Sequence, residues 1–364
     1  MLQKILVIGG YGGVGRNLVE LLVANGGFHV TIGGPSTTKG QAFLNQLAGK
    51  YSSNSIDFRV VDASSSQSLF HSIEGKDLVV VTATVPDRME DIARVALHHG
   101  ADLMDILVRV DVVTQLKPFE KQVIEDGRIF ITQCGFHPGM ILPMMKMACT
   151  EMEDPTDIKV FMAMKPVFEN PKSTEEIFYE TIWNTPRILK DGKWIHAKYT
   201  DGETCSFSSH FGEKNCYPLP MPEIYDVKEI LGINTAGVYV ASFNWFIDYI
   251  VFTLAVIFGK LKSNWGVKVG SNLLYWSTKK YRNQKPRVEM VATALKKSDD
   301  KEQAKSITLI SEDGYLLTAQ ATYSMILQYA DSKQIKPGVH LMGELIDENK
   351  LKKDLINLGV TFQY

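Results

Sequence analysis

Glycines near the start of the chain have the spacing that points most directly to chemistry. Residues 9–15 read GGYGGVG, in which Gly10, Gly12 and Gly15 fit the pattern G-x-G-x-x-G. In that pattern Gly10 makes a tight turn, Gly12 lets the backbone approach a pyrophosphate, and Gly15 lets a helix pack close to a strand. We therefore expect a diphosphate to be bound by the following residues: Gly10, Gly12, Gly13, Val14 and Gly15.

The elements on either side support this interpretation. The apolar run ILVI at 5–8 is too short for a helix and is typical of a buried strand. Val14, Leu18 and Leu22 then recur at helical spacing. The glycines thus lie in a strand-to-helix turn, which directs the N-terminus of the helix at the diphosphate charge. The alternative is a glycine-rich turn that binds nothing.

Strand and helix patterns alternate regularly over the first 135 residues, which is typical of an α/β fold with a parallel, doubly wound sheet. Six strands are the usual complement of a dinucleotide-binding domain. Strands are expected at 4–8, 28–32, 56–61, 77–82, 101–106 and 128–132, and helices at 15–25, 38–50, 66–73, 88–100 and 110–126.

The end of the second strand distinguishes NAD from NADP, because a carboxylate there bonds the ribose 2′-hydroxyl and repels a 2′-phosphate. Gly33 occupies the position expected for that carboxylate. Ser36, Thr37 and Lys39 follow it and offer hydroxyls and a cation to a phosphate. The sequence therefore favours NADP(H) over NAD(H).

The ends of the third and fourth strands also bear on cofactor binding. Asp62 is placed to accept a hydrogen bond from the adenine amino group, or simply to cap the helix that follows. Ala83 and Thr84 end the fourth strand, and such small residues leave room for the nicotinamide half of the cofactor. A turn before Pro86 is the structural alternative, and it is compatible with cofactor binding.

Two residues at strand ends are candidates for proton transfer, because the carboxyl ends of parallel strands face the ligand crevice. His137 follows the sixth strand, and an unperturbed histidine has a pKa near neutrality. Asp105 ends the fifth strand and is the second candidate, after His137. The structural alternatives are a conformational histidine in an interdomain turn and a helix cap. Cys134 is interpreted as a packing residue, since no basic partner is evident.

Composition argues against several classes of protein. A net charge of −2 without a basic run argues against nucleic-acid binding. Four cysteines form no C-x-x-C pair and are too sparse for a disulfide framework, so we expect reduced thiols and a cytoplasmic protein. The spacings of Cys205, His210 and Cys216 match no zinc pattern, and no metal site is expected.

The alternation breaks after the sixth strand, and residues 138–336 are interpreted as a second domain of α+β type. Strands are expected at 157–164, 287–296 and 304–312, and the last two should form a long antiparallel hairpin. Helices are expected at 315–329 and 348–358.

Residues 239–258 form an aromatic-rich apolar segment that Asn244 and Asp248 interrupt. The part without charge is much shorter than the ~20 residues needed to span a bilayer. We interpret the segment as a buried helix or a subunit interface. The alternative is a helix that makes peripheral contact with a membrane or lines an apolar substrate pocket.

Four segments resemble the saccharopine dehydrogenase-like family of NADP-dependent oxidoreductases, and the resemblance runs nearly end to end. They are the glycine turn with Val-Gly-Arg at 14–16, CGFHPGM at 134–140, DGYLLTA at 313–319 and KPGVHLMGELID at 336–347. The glycine motif is common to many families, whereas the other three segments are more specific.

The resemblance implies a Rossmann dinucleotide-binding domain at 1–137 and an inserted substrate and dimerisation domain at 138–336. It also implies a C-terminal segment at 337–364 whose helix packs back on the Rossmann domain. Such a protein would be a homodimer that transfers hydride to or from a C=N, C=O or C=C bond of a small-molecule substrate. Some family members reduce imines between amino compounds and carbonyl acids, and others are similar to enoyl reductases that act on lipid precursors.

Departures from the amino-acid branch of the family bear on the substrate. His137 replaces the aspartate of the family's Gly-Phe-Asp-Pro-Gly element, and Arg187, Arg282 and Arg287 lie in different segments. A substrate with several carboxylates would need bidentate arginine clamps, so the sequence favours a larger or more apolar substrate. The competing class is a non-catalytic NADP(H)-binding sensor or a membrane-associated interaction module.

Overall fold

A computed structural model describes most of the chain as two compact units. Unit 1 comprises Met1–Gly139 and Tyr315–Asp347, and unit 2 comprises Met140–Gly314 and Glu348–Tyr364. The residues described are 3–51, 55–165, 168, 171–241, 250, 253–254, 257, 264–280, 286–298, 301–331 and 335–364.

Sixteen strands are defined within these residues. They are β1 (Gln3–Ile8), β2 (Phe28–Gly34), β3 (Ile56–Val60), β4 (Leu78–Val81), β5 (Asp102–Asp105), β6 (Ile129–Thr132), β7 (Asp157–Lys165), β8 (Arg187–Lys190), β9 (Lys193–His196), β10 (Glu203–Ser206), β11 (Glu213–Pro218), β12 (Thr235–Ala241), β13 (Arg287–Ser298), β14 (Lys301–Ser311), β15 (Gly338–Leu341) and β16 (Thr361–Gln363).

Thirteen α-helices are defined in the same part of the chain. They are α1 (Gly13–Asn25), α2 (Thr37–Ala48), α3 (Ser66–Ile73), α4 (Met89–His98), α5 (Asp111–Leu116), α6 (Glu120–Glu125), α7 (Ile141–Thr150), α8 (Pro171–Trp183), α9 (Val227–Leu231), α10 (Asn264–Lys280), α11 (Gly314–Asp331), α12 (Met342–Leu345) and α13 (Glu348–Asn357).

Unit 1 contains a seven-stranded sheet in the order β15-β6-β5-β4-β1-β2-β3. All of its pairings are parallel. The six strands expected from the sequence are present, and the predicted α/β class with a doubly wound sheet is confirmed. The seventh strand, β15, was not predicted; it comes from 338–341 and pairs with β6 at the sheet edge.

The central strands of this sheet are buried, as their continuous apolar runs predict. Leu6 and Ile8 of β1, Val79 and Val81 of β4, and Ile92 of α4 belong to one apolar cluster, and each is at most 2% exposed. Burying a side chain of this size stabilises a fold by about 1.5–3 kcal/mol. This core fixes the strands whose carboxyl ends carry the candidate site.

Unit 2 contains a mixed sheet in the order β10-β11-β12-β7-β13-β14-β16, with β8 paired to β12 and β9 to β8. Strand β7 pairs in parallel with β12 and antiparallel with β13. Strands β13 and β14 form the predicted antiparallel hairpin, in register from Val288 opposite Ser311 to Ser298 opposite Lys301. The expectation of an α+β region is therefore confirmed, and its sheet is mixed.

The predicted helices at 315–329 and 348–358 are present as α11 and α13. Helix α11 groups with unit 1 from Tyr315 onward, whereas α13 groups with unit 2. Within 337–364, β15 joins the sheet of unit 1, and β16 pairs with β14 of unit 2. The assignment of 138–336 as a substrate and dimerisation domain stays a prediction.

Most of the apolar segment at 239–258 lies outside the described residues, which include only 239–241, 250, 253–254 and 257 of it. Its predicted roles in packing, dimerisation or membrane contact therefore stay predictions. Among the helices in the described ranges, none combines the length and hydropathy needed to cross a membrane.

Candidate functional site

The glycine turn between β1 and α1 is closed by backbone hydrogen bonds. The amides of Gly9 and Gly10 both donate to the carbonyl oxygen of Gly33, at 2.9 and 3.0 Å, and the Gly12 amide donates to Gly9 O at 2.8 Å. Gly9 has φ +92°, a left-handed conformation that favours glycine. The turn therefore depends on Gly9, which the motif alone did not single out, as well as on Gly10.

Gly15 has the packing role expected from the motif. A Cβ at this position would lie 2.1 Å from Gly9 O and 2.7 Å from the Thr82 hydroxyl oxygen, so no larger residue fits. Thr82 in turn donates to Ile8 O at 3.1 Å. The start of α1 is thus held directly against the ends of β1 and β4.

The N-terminus of α1 has the geometry of an anion site. Gly12 is its N-cap in an extended conformation, and no side chain among the described residues caps the helix. The first amides of a helix lack intrahelical acceptors, so those of Gly13 and Val14 are directed outward from the turn. A Cβ at Gly12 would approach only Gly9 O, at 3.2 Å. These residues fit a diphosphate, whose charge the helix dipole also favours.

The end of β2 is linked to this turn by a side chain that the sequence reasoning missed. The Ser36 amide donates a 2.7 Å hydrogen bond to the phenol oxygen of Tyr11. The Tyr11 ring lies over Gly34, where a Cβ would come within 2.5 Å of a ring carbon. Ser36 is also the N-cap of α2 and accepts from the Lys39 amide at 3.4 Å. Tyr11 therefore joins the diphosphate turn to the predicted 2′-phosphate region.

Gly33 cannot present a side chain toward a ribose. It is buried, and a Cβ there would lie 3.0 Å from Val7 O. Ser36 is partly buried, whereas Thr37 and Lys39 are exposed at the start of α2. The structure thus places two hydroxyls and one cation beside an uncharged strand end, as the preference for NADP(H) requires.

Asp62 and the end of β4 occupy the remaining predicted positions. Asp62 is fully exposed, and its Oδ1 accepts from the amide and hydroxyl of Ser64, which lowers its pKa. The N-cap of α3 is Ser65 rather than Asp62. Ala83 donates its amide to Ile8 O at 3.0 Å and lies against the glycine turn, with Thr84 following. Their contacts with a cofactor stay predictions.

Arg109 is a buried cation near these strand ends that the sequence reasoning also missed. Its guanidinium donates to Asp87 Oδ1 at 2.8 Å and through Nε to Asp111 Oδ1 at 2.9 Å. Asp87 follows β4 and Asp111 begins α5 after β5. A charge-assisted clamp of this kind fixes the two loops at the carboxyl end of the sheet.

Asp105 is completely buried at the end of β5. Its Oδ1 accepts from the Leu107 amide at 2.9 Å and from the Gln133 amide at 3.5 Å. Burial raises the pKa of this carboxyl to about 6, although these amides and the Thr132 hydroxyl oppose the shift. A carboxyl with such a pKa has both protonation states populated near neutral pH.

His137 is partly buried in the turn after β6, and desolvation lowers its pKa to about 4. Its imidazole is therefore neutral at neutral pH. Its Nε2 atom is buried and has no hydrogen-bond partner among the residues that the structure describes. A neutral imidazole can accept or donate a hydrogen bond, but it does not carry a proton as an imidazolium at that pH.

Gln133 lies between these two residues in sequence and is the most unusual residue of the turn. It is 1% exposed and has φ +61°, a left-handed conformation that is strained for a side chain of this size. Neither its amide oxygen nor its amide nitrogen has a partner within the described residues. Backbone strain together with an unsatisfied buried amide is typical of functional sites.

Cys134 behaves as the packing residue that the sequence indicated. Its thiol is fully buried, and burial raises its pKa well above the ordinary range, which keeps it protonated and unreactive. Its carbonyl oxygen accepts a hydrogen bond from the Thr322 hydroxyl of α11. Among the residues for which the structure gives positions, no cluster of three potential ligands could hold a metal ion.

The sheet order and the glycine turn at β1 define unit 1 as a Rossmann-type dinucleotide-binding domain. Residues 5–130 match the family model described as the saccharopine dehydrogenase NADP binding domain. This match confirms the expected resemblance to saccharopine dehydrogenase-like oxidoreductases and NADP(H) as the cofactor.

One solved structure extends the likeness in fold to the whole chain. Apo saccharopine dehydrogenase (L-Glu forming) from Saccharomyces cerevisiae aligns over 99% of both chains with a TM-score of 0.70 and 12% identity. A Rossmann-fold NAD(P)-binding family protein from Shigella flexneri aligns over 36% of this chain and 66% of its own, with a TM-score of 0.27 and 14% identity. No curated protein matches the sequence. At these identities the likeness shows the fold, which this chain shares with the yeast dehydrogenase.

Proposed function

We propose that this protein is an NADP(H)-dependent oxidoreductase that acts on a C=N, C=O or C=C bond of a small organic substrate. The observation that supports this most directly is the uncapped N-terminus of α1 behind the turn of Gly9, Gly10 and Gly12, within a domain matched by an NADP-binding family. NADP(H) supplies or accepts a hydride when bound. The chain has to bind and orient the cofactor and transfer a proton to or from the substrate.

Binding is assigned to the two helix starts nearest the glycine turn. The amides of Gly13 and Val14 would hold the diphosphate. Ser36, Thr37 and Lys39 would hold the 2′-phosphate, since they provide hydroxyl and ammonium donors without a repelling carboxylate. The Tyr11 phenol positions Ser36 for this role through its 2.7 Å hydrogen bond.

We assign proton transfer first to Asp105 and second to His137. Sequence reasoning ranked them in the opposite order, because an ordinary histidine titrates near neutrality. Burial reverses that ranking: it raises the pKa of Asp105 to about 6 and lowers that of His137 to about 4. We assign His137 a role as a neutral hydrogen-bonding group. Gln133, whose backbone amide donates to Asp105, would position the carboxyl.

The non-catalytic sensor remains the competing proposal, and NADPH oxidation separates the two. The full-length protein would be titrated with NADPH and NADH, and then assayed against ketones, enoyl thioesters, and mixtures of amino compounds with carbonyl acids. We expect tight NADPH binding and turnover of one substrate class. NADPH binding without turnover of any class would favour the sensor, and absence of NADPH binding would contradict both proposals.

Asp105→Asn provides the catalytic control for that assay. If Asp105 transfers the proton, the variant should bind NADPH normally, lose at least about 100-fold in turnover, and lose the ionisation near pH 6 from its rate profile. Turnover that keeps its rate and pH profile would transfer the role to another group. Homodimer formation and cytoplasmic location stay predictions.

A further inference from the structure

Two cations face each other directly across adjacent strands of unit 2. Lys165 ends β7 and Arg287 begins β13, and the antiparallel register places one opposite the other. Directly paired residues share one face of a sheet, with their Cβ atoms about 4.5–5.5 Å apart. Like charges in this arrangement repel each other, so the pairing costs stability unless an anion compensates it.

One carboxylate compensates part of this charge and fixes the guanidinium. Glu289 lies on the same face, two residues along β13, and is 0% exposed. Its carboxylate accepts from Arg287 Nε at 2.6 Å and from the amide and hydroxyl of Ser208 at 2.9 and 2.5 Å. Glu289 therefore occupies the Nε edge of Arg287. The bond to Glu289 uses Nε, and the Arg287 side chain is 29% exposed.

The ammonium of Lys165 is held without a carboxylate of its own. It lies 5.4 Å from the centroid of the Phe211 ring, and no carboxylate is within 4 Å of it among the described residues. Burial and the charge of Lys214 lower its pKa. Within the described residues, the charges that act on this part of the sheet face include the cations Lys165, Arg287 and Lys214 and the carboxylate of Glu289.

His210 adds a neutral polar group to the same cluster. Its amide donates to the Ser208 hydroxyl oxygen at 3.2 Å, and its Nε2 is buried without a partner in the part of the chain that the structure describes. Burial, Lys165 and Arg287 lower its pKa, while Glu289 opposes this. The cluster therefore joins the Lys165 ammonium, which has no carboxylate partner among the described residues, and the Glu289-paired guanidinium of Arg287 to an unsatisfied buried polar atom.

We propose that Lys165 and Arg287 form a binding site for the carboxylate of an organic acid, with His210 at its side. A planar carboxylate matches the paired terminal nitrogens of a guanidinium, and the ammonium supplies a second charge. Phe207 and Phe211 pack against the apolar cluster of this sheet face, which offers an apolar wall to the body of the acid. That wall favours an organic anion over a small inorganic one.

This inference adds a substrate class to the proposed oxidoreductase. It rests on the proposed function only where it takes the bound acid to be the substrate. The sequence alone disfavoured clamped carboxylates because its arginines lie in separate segments. Register across β7 and β13 adds an arrangement which that reasoning did not consider, since it provides Arg287 with a lysine partner instead of a second arginine. One carboxylate is enough for this site, and an apolar body remains compatible with it.

Binding of 3-phenylpropionate to the full-length protein tests the site, with the neutral 3-phenylpropanamide as the matched ligand. Affinity would be measured by ligand-observed nuclear magnetic resonance at constant ionic strength. The first variant is Lys165→Met, which leaves Glu289 paired with Arg287. The second is Arg287→Lys, which keeps the positive charge but removes the two terminal guanidinium nitrogens. Lys193→Met, an exposed lysine of the same unit, is the control.

We expect saturable binding of the acid, at least tenfold tighter than that of the amide. Lys165→Met and Arg287→Lys should each weaken it at least tenfold, and Lys193→Met should leave it unchanged. Equal affinity for acid and amide, or retention of affinity in Lys165→Met, would overturn the site. Tighter binding of inorganic phosphate than of the acid would overturn its assignment to a carboxylate. NADPH affinity of the same samples distinguishes failure of this site from failure of the proposed oxidoreductase.

Discussion

The phenol oxygen of Tyr11 accepts a 2.7 Å hydrogen bond from the backbone amide of Ser36. Tyr11 belongs to the glycine turn, and Ser36 is the N-cap of α2. One side chain therefore connects the two segments to which binding of the cofactor's phosphates is assigned. Since the Tyr11 ring also covers Gly34, the geometry of both segments depends on the same contact.

Tyr11→Phe should retain the ring over Gly34 and lose only the acceptor for the Ser36 amide. Loss of one such hydrogen bond should lower the free energy of unfolding by about 1 kcal/mol. Denaturant unfolding of the full-length protein measures this. Tyr225→Phe is the control, because the Tyr225 hydroxyl has no hydrogen bond within the described residues. An equal effect in both variants would show that the Tyr11–Ser36 bond contributes nothing specific.

Ser36→Asp should reverse the preference between the two pyridine dinucleotides. Aspartate caps a helix as well as serine, but it adds a negative charge where the 2′-phosphate is expected. We expect NADPH affinity to fall at least tenfold and NADH affinity to stay within about twofold, as measured by calorimetry. Ser36→Asn keeps the cap without the charge and should bind NADPH nearly as the parent does. A parallel loss of both coenzymes in Ser36→Asp would contradict this placement of the phosphate.

Gly15→Ala should disrupt the junction of β1, β4 and α1. The new methyl would lie 2.1 Å from Gly9 O, and the displacement needed should cost about 1–3 kcal/mol or more. NADPH binding should fall with it, because the displaced amides are those assigned to the diphosphate. Gly49→Ala is the control, since a Cβ there would have only 3.7 Å contacts. Thermal unfolding and NADPH titration measure the two effects. A Gly15→Ala variant with the same stability and NADPH affinity as Gly49→Ala would contradict this prediction.

Asp105→Asn should make the protein more stable at neutral pH. The folded chain holds the Asp105 proton up to about pH 6, whereas an unfolded aspartate releases it near pH 4. Stability therefore falls as pH rises through this window, by about 2–3 kcal/mol in total. Asparagine removes that loss. Denaturant unfolding from pH 4 to 7 measures it, and a variant that keeps the parent's fall in stability across this range would show that Asp105 is not its source.

His137→Gln should change the same pH profile in the opposite direction. The folded imidazole stays neutral down to about pH 4, whereas the unfolded one binds a proton below about pH 6.5. The histidine thus makes stability fall as pH decreases through that range, and its removal should flatten this part of the profile. Comparison with Asp105→Asn separates the contributions of Asp105 and His137 to the change of stability with pH, which have opposite signs. A profile unchanged by His137→Gln would mean that the histidine is solvated in the folded chain.

Strand β1, the glycine turn and helix α1 were determined by the sequence itself, because apolar periodicity and glycine geometry act over a few neighbouring residues. The hairpin of β13 and β14 was predictable for the same reason. Strand β15 was not, because residues 338–341 form a short segment whose partner, β6, lies far away in the chain. Tertiary structure alone decided its place at the sheet edge.

The chemistry of the candidate site depended even more on tertiary structure. The residue types of Asp105 and His137 indicated proton carriers, but only burial shifts their pKa values in opposite directions, and our proposed ranking of the two rests on those shifts. Likewise, only the register of β7 and β13 brought Lys165 opposite Arg287. Local pattern specifies elements, whereas desolvation and charge pairing arise from distant segments that meet when the chain folds.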